Sequence, residues 1–159
     1  MHIHISLVEQ KLSLFDGNIL LKTYSISSGL NGAGNKKDSG KTPLGNHLIR
    51  AKIGAGLPCG AVLIGRRWSG EILDRALQAS APDRDWVLSR ILWLSGTERG
   101  VNRLGDCDTM QRYIYIHGTP DSEPMGVALS HGCIRMRNQD VIELFDRVQA
   151  FTPVQIDLK

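Results

Sequence analysis

No stretch of the chain approaches the roughly eighteen uninterrupted apolar residues that a membrane-spanning helix requires, so no membrane span is expected. The amino end, Met1-His2-Ile3-His4-Ile5-Ser6, lacks a basic segment followed by an apolar block, and no secretory leader is read there. A dominant charge is missing too: 19 Lys and Arg stand against 16 Asp and Glu. The basic residues fall in scattered pairs (Lys36 and Lys37, Arg66 and Arg67, Arg135 and Arg137) and not on one face. A nucleic-acid binder concentrates its cations and interleaves aromatics among them. These pairs therefore read as solvated surface charge, and no nucleic-acid partner is expected. The cysteines number 3 (Cys59, Cys107 and Cys133), without short metal-type spacing. An odd count leaves at least one outside any intramolecular disulfide. Cys59 and Cys107 either pair in an oxidising compartment or sit as small buried hydrophobes. Repeats, linkers and low-complexity segments are absent.

What is present suits one core. A chain of 159 residues, 42% hydrophobic, is long enough to bury a core and too short for two comfortable domains. Residues 1–159 are expected to form a single domain. Ile3, Ile5 and Leu7 alternate with His2, His4 and Ser6, the period of a strand. His2 and His4 alone are weak metal ligands. Leu12 and Leu14 continue the alternation, Asp16-Gly17 supplies a turn that tolerates positive φ, and Ile19 to Ile26 returns, so residues 10–26 read as a β-hairpin. Residues 27–35 are rich in turn formers and form a loop. Gly40-Lys41-Thr42 imitates the end of a phosphate-binding loop, but five residues separate Gly34 from Gly40 where that motif needs four. Strands are expected over His47–Ile53, Ser89–Leu94 and Tyr113–His117, with a short apolar segment at Ala61–Ile64. His47 reads as a packing or surface residue. Ile72, Leu73, Ala76 and Leu77 carry helical spacing, with Ser69 as its cap. Asn138 caps a second helix whose apolar stripe is Val141, Ile142, Leu144, Phe145 and Val148. Val154–Leu158 closes the chain as a strand. The fold class is mainly β with one or two helices.

Candidate chemistry gathers between residues 113 and 136. Tyr113-Ile114-Tyr115-Ile116-His117-Gly118-Thr119 and Ser130-His131-Gly132-Cys133-Ile134-Arg135-Met136 bring together a thiol, imidazoles, a hydroxyl and a guanidinium. A thiol is a weak nucleophile until an imidazole takes its proton. His117, on a separate segment, suits the base better than His131, which lies two residues from Cys133. Gly132 allows a tight bend that turns backbone N–H groups toward a developing oxyanion. The Gly118 carbonyl can hold the second nitrogen of His117, and Arg135 can grip a substrate carboxylate in bidentate fashion. Two plainer readings stay open: a zinc site from His117, His131, Cys133 and Cys107, or a packing cysteine with surface arginines.

These residues resemble the signature of the YkuD-type L,D-transpeptidases. His117-Gly118-Thr119 opens it, twelve residues (118 to 129) separate His117 from Ser130, and Ser130-His131-Gly132-Cys133-Ile134-Arg135-Met136 completes it. Thr42-Pro43-Leu44-Gly45 is similar to that family's Thr-Pro-x-Gly element. The resemblance implies a β-sandwich or barrel catalytic domain with one or two helices. It implies a cysteine acyltransferase acting on peptidoglycan stem peptides: Cys133 forms a thioester acyl-enzyme, and an amine from a second stem resolves it. His117 carries over as the base, Gly118 as its orienter, and the Gly132 and Cys133 amides as the oxyanion hole. Ser130, His131, Arg135 and Tyr115 carry over as substrate-binding residues. No metal or other cofactor is implied. Work in the periplasm or cell envelope is implied, and the oligomeric state is not read. Water in place of the amine would make a hydrolytic L,D-carboxypeptidase or amidase-like enzyme, and a silent wall-peptide binding domain is the non-enzymatic alternative.

Overall fold

The alternating apolar residues at the amino end enter a curved sheet. The computed structural model describes residues 1–159. In chain order its strands are β1 (His2–Ser6), β2 (Lys11–Asp16), β3 (Ile19–Ser27), β4 (Gly45–Ile53), β5 (Ala61–Ile64), β6 (Arg67–Ile72), β7 (Leu88–Gly96), β8 (Tyr115–Thr119), β9 (Ile134–Arg137) and β10 (Pro153–Asp157). Helix α1 (Arg75–Ser80) lies between β6 and β7, and α2 (Asn138–Arg147) between β9 and β10. Ile3, Ile5, Leu12 and Leu14 are fully buried, as their period of two requires. The β2–β3 hairpin forms, turning at Gly17 with φ of 57°.

The strand order is β4-β10-β1-β2-β3-β9-β8-β7-β5-β6, and β4 also pairs with β7. That added pairing closes the run from β4 to β7 into a barrel-like ring and leaves β6 as a free edge. Most neighbours are antiparallel, but β1 pairs with β10 and β8 with β9 in parallel. The fold is thus mainly β with two helices, as the resemblance implies.

Helix α2 packs over β7, β8 and β9. Val141, Leu144 and Phe145 enter the same core as Ile26, Leu92, Ile116, Ile134 and Met136. Burying each such side chain contributes about 1.5–3 kcal/mol, and this joint core holds β8 and β9 in place.

Three local expectations are corrected. The helix read from Ser69 is two elements: Gly65 and Arg66 both take positive φ (54° and 64°), folding β6 back along β5 as a hairpin. The short α1 starts later and is capped by Asp74, whose carboxylate accepts the Leu77 N–H at 2.8 Å. The strand read from Tyr113 begins at Tyr115, because Tyr113 is held at φ 56° in the turn that precedes it. Asn138 begins α2 but does not cap it. Its amide is drawn inward, accepting from the Ser89 hydroxyl at 2.6 Å and donating to the Thr119 carbonyl at 2.9 Å.

His47 is a buried structural tie between β4 and the turn before β8. Its Nδ1 faces the Gly45 carbonyl at 3.0 Å and its Nε2 the Thr109 hydroxyl at 2.9 Å. Burial pushes its pKa down from 6.5 to about 4. The unfolded chain then takes up a proton near pH 6.5 that the folded state refuses, so stability is full above that pH and falls as pH drops toward 4. The expected loss from this group is about 3 kcal/mol. Urea unfolding across pH 4–7 checks it: the midpoint should fall with pH, and His47→Gln should flatten that fall.

Candidate active site

The parallel register of β8 and β9 sets Ile116 opposite Ile134 and His117 opposite Arg135. Cys133, at the entrance to β9, therefore lies beside the start of β8. The Tyr115 N–H points at its sulfur at 3.3 Å, and the thiol faces the Tyr113 carbonyl at 3.4 Å. The side chain is half-buried. Burial pushes the thiol up to about 11, although the Tyr115 amide and the nearby Arg135 and Arg112 charges pull the other way.

His117 is 1% exposed, and its Nδ1 lies 2.7 Å from the Gly118 carbonyl. A carbonyl only accepts, so Nδ1 carries the proton and Nε2 keeps a free lone pair. Burial lowers the imidazole pKa, outweighing the Gly118 carbonyl and the charge of Asp85. The resting pair is accordingly a neutral thiol and a neutral imidazole. Gly118 is required for space: an added Cβ would stand 2.5 Å from Asn138 Oδ1 and 2.6 Å from the Leu88 carbonyl.

The loop before Cys133 is braced from two sides. Gly132 takes φ of 122°, open to glycine, and an added Cβ would press the Lys41 carbonyl at 3.1 Å. The Gly132 carbonyl accepts from the Thr42 hydroxyl at 2.9 Å, and the Thr42 Oγ1 in turn accepts the Gly29 N–H at 2.8 Å. The segment that imitated a phosphate loop is thus a strut under the cysteine loop. Ser130 donates to the Cys133 carbonyl at 2.6 Å and accepts the Gly132 N–H at 3.1 Å.

Within that turn the Gly132 amide is engaged by Ser130, whereas the His131 and Cys133 N–H groups donate to no protein acceptor. Arg135 is also occupied. It is buried, with Asp85 Oδ1 at 2.8 Å and Glu123 at 3.9 Å, so the carboxylates that neutralise it belong to the protein. His131 is 75% exposed at its side chain and meets the other oxygen of Asp85 at 3.2 Å. Partial burial would raise the Asp85 carboxyl, but Arg135 together with His117 and His131 holds it below the usual range. The Tyr115 hydroxyl accepts from Arg66 at 3.0 Å, and its ring stands edge-on to Trp93. The three cysteines are free, and no group of three or more His, Cys, Asp or Glu side chains could hold a metal.

Cys133, His117, Gly118, Gly132, Ser130, His131, Arg135 and Tyr115 are all brought to one region by β8, β9 and the turn between Ser130 and Cys133. Asp85 and Arg112 were missed by the sequence reading. Asp85 comes from the turn before β7, and Arg112 from the turn before β8; neither has a partner within its own segment to mark it. Thr42 carried a signal only through the Thr-Pro-x-Gly likeness.

A barrel-like β fold that presents a thiol and a carbonyl-oriented imidazole from adjacent parallel strands is a mainly β cysteine–histidine scaffold. Comparison with known proteins makes this specific: the model of the YkuD family, the L,D-transpeptidase catalytic domain, matches residues 1–156. The chain belongs to that family. The putative L,D-transpeptidase YkuD of Bacillus subtilis is 29% identical over 157 residues, covering 98% of this chain and 65% of its own length. The probable L,D-transpeptidase YbiS of Escherichia coli is 46% identical over 44 residues, 28% of this chain and 14% of its own. The L,D-transpeptidase from Mycobacterium smegmatis has the same fold, with a TM-score of 0.57 at 16% identity, covering 98% of this chain and 57% of that one. LdtMt1, solved in complex with imipenem, gives 0.56 at 19%, with the same coverage of 98% and 57%. The matches span less than two thirds of the length of each of these relatives.

Two outcomes follow from the site geometry. Gly118→Ala should lower unfolding stability by about 1–3 kcal/mol, read from the urea midpoint, because its Cβ has no room. Alkylation of Cys133 by iodoacetamide should rise about tenfold per pH unit from 7 to 10 without levelling near 8.5, since the thiolate fraction follows the raised pKa.

Proposed function

We infer that the chain is a cysteine acyltransferase on peptidoglycan stem peptides, with Cys133 as nucleophile and His117 as base. The observation that carries this reading is the Nδ1 contact of His117 with the Gly118 carbonyl, which leaves Nε2 as the proton acceptor on the strand beside Cys133. Both groups rest neutral, so the proton leaves as the sulfur attacks.

Sγ adds to the carbonyl next to the terminal residue of the stem, and its proton passes to His117 Nε2. The Cys133 N–H is an available donor to the oxyanion. The negative charge of Asp85 favours the imidazolium that forms. As the tetrahedral species collapses, the C–N bond breaks, and the amine of the terminal residue leaves with the proton from His117. The Cys133 thioester remains. The amine of a second stem then adds, gives its proton to His117, and expels the thiol to complete the cross-link. Water in that second step would give hydrolysis from the same intermediate.

Intact-mass measurement after incubation with imipenem tests the nucleophile. The wild type should gain one adduct and Cys133→Ala none; equal modification of both would overturn the assignment. Loss of a general base costs about 10²–10⁴ in rate, so His117→Ala should slow acylation by at least about a hundredfold. His131→Ala should slow it by less than about tenfold, because that ring is exposed and held only by Asp85. The acid limb of the acylation profile should have its midpoint below pH 6.5, since burial lowers His117 and only the neutral ring can take the proton.

A further inference from the structure

Acyl transfer at Cys133 leaves one charged side chain near the thiol without an ion-pair partner. Arg112 is half-buried in the turn before β8. Its guanidinium donates only to neutral oxygens: the Gly34 carbonyl at 3.2 Å, the Ser39 hydroxyl at 3.4 Å and the Lys41 carbonyl at 2.5 Å. It forms none of the ion pairs found in the structure. Arg135, the other guanidinium near the sulfur, is already matched by Asp85 and Glu123. A carboxylate arriving at the thiol therefore meets one guanidinium already paired with the protein's own carboxylates and one paired with none.

Arg112 also lines a cleft of about 560 Å³ with Lys37, Asp38, Tyr113, Ile114 and His131. That volume lies in the range of small-molecule and peptide-end sites. Tyr113, one of the residues lining the cleft, presents its carbonyl to the Cys133 thiol at 3.4 Å, so the cleft lies next to the nucleophile. Two cations, Lys37 and Arg112, stand there against the single carboxylate of Asp38, which makes no ion pair with either. When the residue released from a donor is the last of its peptide, its free carboxylate lies one residue from the attacked carbonyl. Successive Cα atoms are about 3.8 Å apart, so that carboxylate falls in the immediate surroundings of the sulfur.

Resting on the reading of Cys133 as nucleophile, we propose that Arg112, assisted by Lys37, is a carboxylate-binding subsite that anchors the free C-terminus of the donor peptide. The 34–41 loop takes up Nη2 and one Nη1 proton of Arg112, which leaves Nε–H and the other Nη1 proton to meet a carboxylate, and partial burial strengthens such a charge-assisted contact.

The test uses a tetrapeptide stem as its C-terminal acid and as its carboxamide. In the Cys133→Ala protein, which cannot turn over, calorimetry should show the acid bound at least about tenfold more tightly than the amide. Arg112→Gln in that background should bind both equally, Arg112→Lys should restore part of the preference, and Lys37→Gln should reduce it severalfold. Because Arg112 also braces the 34–41 loop, thermal unfolding accompanies each variant, and the Lys37→Gln result decides if Arg112→Gln fails to fold. Equal affinity for acid and amide, or a preference that survives the substitutions, overturns the subsite. Turnover by the unsubstituted protein separates the two readings. Acid preference without any thioester keeps the subsite and removes acyl transfer. Thioester formation at equal rates from acid and amide does the reverse, and binding of neither peptide overturns both.

Discussion

The parallel pairing of β8 with β9 is the constraint on which the site depends. Two strands that run the same way place their entrances side by side, so Cys133 before β9 meets the Tyr115 amide at the start of β8. His117 then follows two residues along β8. No hairpin joins these strands; their register is held by hydrogen bonding and by the core that α2 shares with both. A slip of one residue would turn His117 to the opposite face of the sheet, away from its place across from Arg135.

Around that pairing the protein keeps its reactive groups uncharged at rest. Burial raises the thiol and lowers the imidazole, so neither gains from an ion pair before substrate arrives. The compensating charges lie one layer out, in Asp85 with Arg135 and in Arg112. The cysteine turn is braced from within and from the first loop. Ser130 closes it from within and Thr42 supports it through the Gly132 carbonyl, which leaves the His131 and Cys133 amides without a protein acceptor.

Much of the fold was legible where periodicity was clean. Ile3 and Ile5, Leu12 and Leu14, and the stripe of Val141, Leu144 and Phe145 went to the core as their spacing demanded. Failures came where a turn interrupted a pattern. Ile72, Leu73, Ala76 and Leu77 look helical in sequence, yet positive φ at Gly65 and Arg66 sends the first of them into a strand. Asn138 has the chemistry of a cap, but the Ser89 hydroxyl and the Thr119 carbonyl, both distant in sequence, compete successfully for its amide.

The sequence by itself determined the reactive inventory: a cysteine and a histidine in motif spacing, glycines beside each, and the family to which they belong. Those are local facts, carried by residue type and by distance along the chain. Only the tertiary structure decided how the groups are used. It paired Arg135 with the protein's own carboxylates, engaged the Gly132 amide with the Ser130 hydroxyl, and brought the charges of Asp85 and Arg112 near the thiol from separate loops. Charge pairing and amide occupancy depend on which segments meet in space, and that meeting is set by sheet closure and core packing.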